Sequence, residues 1–242
     1  MKISIVIPAF NEAKLLPGTL TAVRAAAEAA FTPLDWASEL IVCDNNSTDH
    51  TGDVARAAGA VVVFEPRNQI ARARNTGAAA ATGDWFIFVD ADSRPTAGLL
   101  RDVAARIQEG RWLAGGSTVR LDQFHLGGAV FTWLWNWISR GKRWMAGSFI
   151  WVDAAAFREV GGFSEDLYAS EEIDLSRRLG LLARRRGRRL TILHRHPLET
   201  SARKMRLYSV GEIVGFLLRT VVRGGQTLRR REDCPIWYDG RR

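Results

Sequence analysis

Apolar positions in the first ninety residues switch between two periods. Ile3 to Ile7 is a short β-branched run stopped by Pro8 and reads as a strand. From about Lys14 to Ala30 the chain is Ala-rich, with Leu16, Leu20, Val23 and Ala27 at helical spacing. A second strand over Glu39 to Cys43 runs into the polar stretch Asp44 to Asp49. A short helix over Thr51 to Ala58, a strand over Ala60 to Phe64, an Ala-rich helix over Gln69 to Thr82 and a strand over Trp85 to Val89 follow. This alternation predicts an α/β fold, with a mostly parallel central sheet flanked by helices and right-handed crossovers. Three of the strands end in Asp- or Asn-bearing loops, which such a sheet gathers on one edge, where ligands bind. Residues 1–115 therefore read as a nucleotide-binding half.

The texture changes after Trp112. A strand is expected within Leu113 to Leu121, and another over Phe149 to Val152. Phe124 to Trp144 is rich in Gly and Trp without a clear period. Helices are expected over Asp153 to Val160 and Ser170 to Leu182, with a short strand at Leu190 to Leu193. Met205 to Val222 reads as a long, largely apolar helix, and Arg223 to Arg242 as a loose basic tail. The expected organisation is one domain over 1–200, its second half at 116–200, with a helical extension and tail over 201–242.

Composition narrows the class. A chain of 242 residues, 47% hydrophobic and 25% charged, builds one large core or two small ones. No uninterrupted apolar run reaches the roughly 18 residues of a membrane-spanning helix. A strand directly after Met1-Lys2 leaves no room for a signal peptide, and two cysteines, Cys43 and Cys234, suit a reducing compartment. The expectation is a cytoplasmic protein. Its net charge of +8 suits an anionic partner, whether nucleotide phosphate, nucleic acid or acidic membrane, without choosing among them.

The most specific chemistry lies at Asp90-Ala91-Asp92, after the strand Trp85 to Val89. Two carboxylates beyond a strand's carboxyl end either cap a turn or offer hard oxygen ligands to Mg²⁺ or Mn²⁺, which neutralises a diphosphate.

The surrounding motifs decide between those readings. SIVIPAFNE over Ser4 to Glu12 resembles the opening strand and loop of family 2 glycosyltransferases of the GT-A fold. IVCDNNSTD over Ile41 to Asp49 resembles their second strand and base-binding loop. ARNTG over Ala73 to Gly77 and ATGDWFIFVDAD over Ala81 to Asp92 are similar to their helix and Asp-x-Asp strand. GGFSE over Gly161 to Glu165 and EEIDLSRRL over Glu171 to Leu179 resemble the acceptor-side motif. Any one of these is weak; together, in order over about 1–200, they are specific.

The resemblance implies sugar transfer from a UDP- or GDP-sugar to a hydroxylated acceptor, with a lipid-linked one among the candidates. It implies that Pro8, Ala9 and Phe10 line the nucleotide and that Glu12 approaches base or ribose. Asp92 is then the direct ligand of Mn²⁺ or Mg²⁺, and Asp90, with Ala91 beside it, faces the ribose or supports the metal. Arg72 becomes the diphosphate contact, with Arg74 read as solvated or packing. Gly147 approaches the donor sugar with backbone, Arg203 clamps the diphosphate or holds the acceptor, and His196, or His194, adds a late metal ligand. Where relatives commonly carry a second aspartate this chain has Asn45, which offers both a donor and an acceptor to a base edge; Asp44 is expected to be structural. Where they carry Glu-Asp-x-Asp this chain has Glu171-Glu172-Ile173-Asp174, which makes Glu172 the general base, with Glu171 and Asp174 competing. Base-assisted attack opposite the diphosphate inverts the anomeric centre.

Two readings compete with this one. A nucleotidyltransferase wants a Gly-rich phosphate loop after the first strand, and Pro8 to Glu12 is not one. A nucleic-acid-binding or membrane scaffold has no use for Asp90, Asp92 and Glu172, so no nucleic-acid partner is expected. Phe131, Trp133, Trp135, Trp137 and Trp144 crowd one segment, as core packing, a stacking platform or a membrane-interface anchor. The apolar stripe within Met205 to Val222, flanked by arginines, suits peripheral contact with an acidic inner-membrane face, docking on the sheet or a homodimer.

Overall fold

The computed structural model describes residues 1–123, 126–203, 207, 211–212, 215–216, 219–220 and 225–238. Strands β1 (Lys2–Ala9), β2 (Ala37–Asp44), β3 (Val61–Phe64) and β4 (Trp85–Val89) alternate with helices α1 (Leu16–Phe31), α2 (Thr51–Ala57) and α3 (Ile70–Ala80). There follow β5 (Ser93–Arg94), α4 (Ala97–Gln108), β6 (Trp112–Leu121), α5 (Leu126–Lys142), β7 (Phe149–Asp153), α6 (Ala154–Glu159), α7 (Glu171–Arg185) and β8 (Arg189–Thr200). A last short helix, α8, covers Pro235–Tyr238.

One sheet runs through the described residues in the order β3-β2-β1-β4-β7-β6-β8-β5. The nucleotide-side strands pair in parallel, β1 with β2 and β4, and β2 with β3. Beyond β4 the sheet is mixed: β7 is antiparallel to both β4 and β6, β6 and β8 are parallel, and β5 is antiparallel to β8. The reversal at β7 has a consequence for the site. β7 starts on the edge where β4 ends, so the turn before it lies beside Asp90, whose N–H donates to the Ser148 carbonyl at 3.2 Å. β6 runs across the expected boundary at 115/116, so one sheet joins the two halves.

Both faces of the central strands are covered, which is why they read as continuous apolar runs. Ile3, Ile5 and Ile7 of β1 and Trp85, Ile87 and Val89 of β4 join the core under α1 and α4. Val6, Phe86 and Phe88, of opposite parity, join a second core with Ala71 and Ala78 of α3 and Leu175 and Leu179 of α7. Gly77 of α3 sits so close to β1 that an added Cβ would lie 2.4 Å from Val6 Cγ1.

Two helices lie where the sequence pattern gave none. α4 is capped by Thr96, whose hydroxyl accepts from the Leu99 N–H, and it buries Leu99, Leu100, Val103, Ala104 and Ile107 at helical spacing. α5 crosses the Gly- and Trp-rich segment, anchored by Asn136, whose side chain bonds both the N–H and the carbonyl of Val119. The expected helix over Met205 to Val222 falls largely outside the described residues. The described end of the basic tail is docked rather than loose: Cys234 is buried with Ala169 and Phe216, and Ile70 N–H donates to Tyr238 Oη at 3.2 Å. Among the described residues, no helix is long and apolar enough to cross a membrane.

Candidate active site

The loops beyond β1, β2 and β4 are stitched into one edge. Asn11 N–H donates to Ser47 Oγ and Thr48 N–H to Asn11 Oδ1, while Glu12 N–H reaches Thr51 Oγ1 at 2.8 Å. Thr19 Oγ1 donates to the Ala91 carbonyl, so α1 holds the Asp-x-Asp loop. Pro8 and Ala9 lie inside β1, paired with Cys43 and Asp44, and Phe10 opens the loop. Ala91 is buried in the core, and its two neighbours project from it.

Asp90 continues the parity of Phe86 and Phe88 and meets Arg74 of α3, whose Nη2 is 3.0 Å from Asp90 Oδ1. The same nitrogen donates to the Gly147 carbonyl at 2.8 Å, and Nη1 donates to Glu171 Oε1 at 2.5 Å. Arg74 is 1% exposed, with its guanidinium 5.1 Å from the Phe163 ring centroid. Burial opposes its charge, but Asp90, Glu171 and Glu172 outweigh that and hold it above the usual range. Arg74, expected to be solvated or packing, is a buried ion-pair residue that joins Asp90, Gly147 and Glu171. Its signal in the sequence is position, since Ala71, Arg74 and Ala78 are one buried helical stripe.

Glu171 and Glu172 open α7. Glu171 is buried against Arg74, and Glu172 is half-buried, its carboxyl carbon 3.7 Å from where a Cβ on Gly147 would stand. Burial and then the Glu171 charge push the Glu172 carboxyl up to about 8. Asp174, the third acid, is held by Arg178 on the same helix, Nε to Oδ2 at 2.7 Å. The motifs in front of α7 and on α3 are clamped: Asn75 bonds both the N–H and the carbonyl of Phe163, each at 2.9 Å. Gly162, at φ 68°, could carry no side chain there, because a Cβ would lie 2.7 Å from Asn75 Oδ1.

A second cluster joins three loops. Arg203 donates from both terminal nitrogens to Glu12, at 3.0 and 2.5 Å, and Nη2 lies 3.4 Å from Asp92 Oδ2. Glu12, expected to approach base or ribose, is thus a buried ion-pair partner of Arg203. Burial works against the Arg203 charge, and Glu12 and then Asp92 raise its pKa nonetheless.

Other expected residues lie elsewhere. Arg72 faces away from Arg74 and is paired with Glu65 and Glu165. Asn45 is buried, and its amide is engaged inside the protein: Nδ2 donates to the carbonyls of Glu65 and Arg67, and Oδ1 accepts from Gln69 N–H. It therefore shapes the 65–69 loop and has no amide hydrogen left for a base edge. Asp44 closes its own turn by accepting from Ser47 N–H, as a structural residue should. His196 packs on α4, with Nδ1 2.9 Å from Asp102 Oδ2 and its ring against Gly98. Among the described residues no three His, Cys, Asp or Glu side chains form a ready metal cage. Two hard carboxylates, Asp90 and Asp92, fit a cation that draws its remaining ligands from phosphate and water, the usual habit of Mg²⁺.

Residues 4–139, more than half the chain, match the family model for glycosyl transferase family 2. The chain belongs to that family. An uncharacterized glycosyltransferase of Mycobacterium tuberculosis is 33% identical over 138 residues, covering 57% of this chain and 54% of the relative. A probable glycosyltransferase of Bacillus subtilis, YdaM, is 26% identical over 203 residues, covering 74% of this chain and 46% of the relative. The chain spans about half the length of the curated relatives it matches. In fold it is similar to residues 1–349 of Staphylococcus aureus TarS, with a TM-score of 0.65 at 20% identity over 98% of this chain and 78% of that one. It is also similar to the mannosyltransferase PcManGT of Pyrobaculum calidifontis in complex with GDP-Man and Mn²⁺, with a TM-score of 0.67 at 19% identity over 94% and 62% of the two chains. The family 2 chain therefore has an α/β mixed sheet of GT-A type.

Proposed function

We propose that this glycosyltransferase moves a sugar from a nucleoside-diphosphate sugar, carrying UDP or GDP, to an acceptor hydroxyl with inversion, and that Glu172 is the base. The observation that carries the reading is the Asp90–Arg74–Glu171 bridge, which ties the Asp-x-Asp loop to the acid pair opening α7. Donor-side and acceptor-side acids then belong to one rigid unit. The neighbours in complex with UDP-GlcNAc, and with GDP-Man and Mn²⁺, support a nucleotide-sugar donor and a divalent ion without choosing the base.

In this reading Asp92 and Asp90 hold Mn²⁺ or Mg²⁺, and a divalent ion so held supplies positive charge against the departing diphosphate. Arg203, crossing from Glu12 to Asp92, adds fixed positive charge on the same side. Glu172 accepts the proton of the attacking hydroxyl at its carboxylate oxygen, and a pKa of about 8 makes it a strong enough base to do so near neutrality. Arg74 pairs with Glu171 and fixes that carboxylate beside Glu172. The Gly147 carbonyl, fixed by Arg74, shapes the wall between the two acids.

Calorimetric titration of UDP and GDP, with and without Mn²⁺, on wild type and Asp92→Ala tests the reading. Metal-dependent binding of one nucleotide, lost in the variant, is the expected result. Binding of neither, under either condition, would refute it.

A further inference from the structure

The face of α5 turned away from the sheet is apolar. Val130, Trp133, Leu134 and Trp137 recur at helical spacing and are exposed, both tryptophans at 69%. The stripe covers two turns, about 10 Å of helix. Asn136 and Ser139 point the other way, into the protein. This is not the core packing that a Trp-rich segment usually signals. At its C-terminal end the stripe turns basic, through exposed Arg140, Lys142 and Arg143.

Those last residues lead into a cavity of about 580 Å³ between the end of α5, the outer side of α7 and the start of β8. Lys142, Arg143, Arg177, Arg184, Arg188 and Arg189 line it, and no carboxylate does. Arg188 is paired with Asp153 behind the cavity; among the described residues the other five have no carboxylate partner. Leu181, 58% exposed, lies between Arg177 and Arg184 on the outer face of α7. Two helices thus present the same pattern, exposed apolar side chains set among unpaired cations.

We infer that this face docks on an anionic lipid bilayer, with α5 lying in the interface and a lipid phosphate headgroup seated in the basic cavity. Tryptophans suit the boundary between headgroups and acyl chains, and the arginine and lysine stems lie along the apolar layer while their charges reach the phosphates. A second copy of the chain would bring six cations against six. A nucleic acid would use the charges but would leave Val130, Leu134 and Leu181 in water. Trp144 and Arg177 also line the adjoining cavity, which reaches Ser170 and Ile173 beside Glu172. If Glu172 is the base, as proposed above, a headgroup seated here is on the acceptor side.

The test is co-sedimentation of the full chain with vesicles of phosphatidylcholine alone or with phosphatidylglycerol added, at low and physiological salt. It requires no donor or turnover, so it can fail independently of the proposed reaction. Binding to the anionic vesicles only, weakened by salt, is expected. Lys142→Ala/Arg143→Ala/Arg184→Ala should lower the partition coefficient by about fivefold per cation removed. Trp133→Ser/Trp137→Ser, at positions too exposed to disturb the core, should lower it roughly tenfold. Equal binding to neutral vesicles, no vesicle binding, or binding that both variants retain would each overturn the inference. So would capture of a duplex or single-stranded oligonucleotide at physiological salt by a chain that ignores the vesicles.

Discussion

Arg74 Nη2 donates to Asp90 Oδ1 at 3.0 Å from a side chain that is 2% exposed. A charge buried this deeply is tolerated only because Asp90 and Glu171 meet it on two sides, and removing it leaves those two carboxylates without their shared cation. Arg74→Ala should therefore cost about 3–5 kcal/mol of stability at neutral pH, measured by urea unfolding. Adding Glu171→Gln to that variant should recover part of the loss, whereas Glu171→Gln alone should destabilise. Independent, additive effects of the two substitutions would show that the bridge is not the coupling element.

The Glu172 carboxyl, pushed up to about 8 by burial and by Glu171, gives two pH signatures. In the unfolded chain it releases its proton near 4.5; in the folded protein it keeps it to about 8. The folded state thus binds more protons between those values, so this group's contribution to stability is full below 4.5 and is lost as pH rises through 8. Glu172→Gln should flatten that decline, by up to about 1.4 kcal/mol per pH unit. In turnover the sign reverses, because the base must be ionised: kcat/KM should rise about tenfold per pH unit below 8 and then level, and Glu172→Gln should cost roughly 10²–10⁴-fold. A rate that is flat from pH 6 to 9 in wild type would assign the base elsewhere.

Much of this is legible in the amino-acid sequence itself. The continuous apolar runs of β1 and β4 and the Ala-rich stripes of α1 and α3 declare a parallel α/β edge, and that edge does gather Glu12 and Asp92. The reversal at β7 was not legible, because a buried five-residue strand has the same apolar signature in either direction. Nor was the choice between Arg72 and Arg74. Two positions apart on a helix they point to opposite sides, and only the stripe of Ala71 and Ala78 says which one is buried. Asn45, Asp174 and His196 stand where the resemblance to family 2 implies site residues. What their side chains do depends on backbone carbonyls, on Arg178 and on Asp102, partners that residue type alone does not name. α4 was within reach, since Thr96 followed by Leu99, Leu100, Val103 and Ile107 is a cap and an amphipathic stripe.

Asn45 separates a structural amide from a base-reading one. Its two amide hydrogens point at the carbonyls of Glu65 and Arg67, at 3.2 and 2.7 Å. Asn45→Asp would set a carboxylate against those two carbonyl oxygens with no donor between them. The expected cost is about 2–4 kcal/mol, with two hydrogen bonds lost and a charge left buried. Thermal unfolding reads it directly. A neutral substitution accompanied by a switch in nucleotide preference would show instead that the loop can open and that position 45 meets the base.

His196 and Asp92 make opposite predictions for the cation. The imidazole Nδ1 is held by Asp102 of α4, and its ring rests on Gly98, where a Cβ would come within 2.6 Å of Cδ2. Nothing in that arrangement asks for a metal, and the pair is partly exposed. Asp92 stands on the Asp-x-Asp loop beside Arg203 instead. His196→Ala should leave Mn²⁺-dependent nucleotide affinity within about twofold, with a small stability change typical of an exposed pair. Asp92→Ala should remove the metal dependence altogether. Titrating Mn²⁺ into each variant at saturating nucleotide decides the matter: equal loss in both would bring His196 back to the metal, through a movement of β8 away from α4 on donor binding.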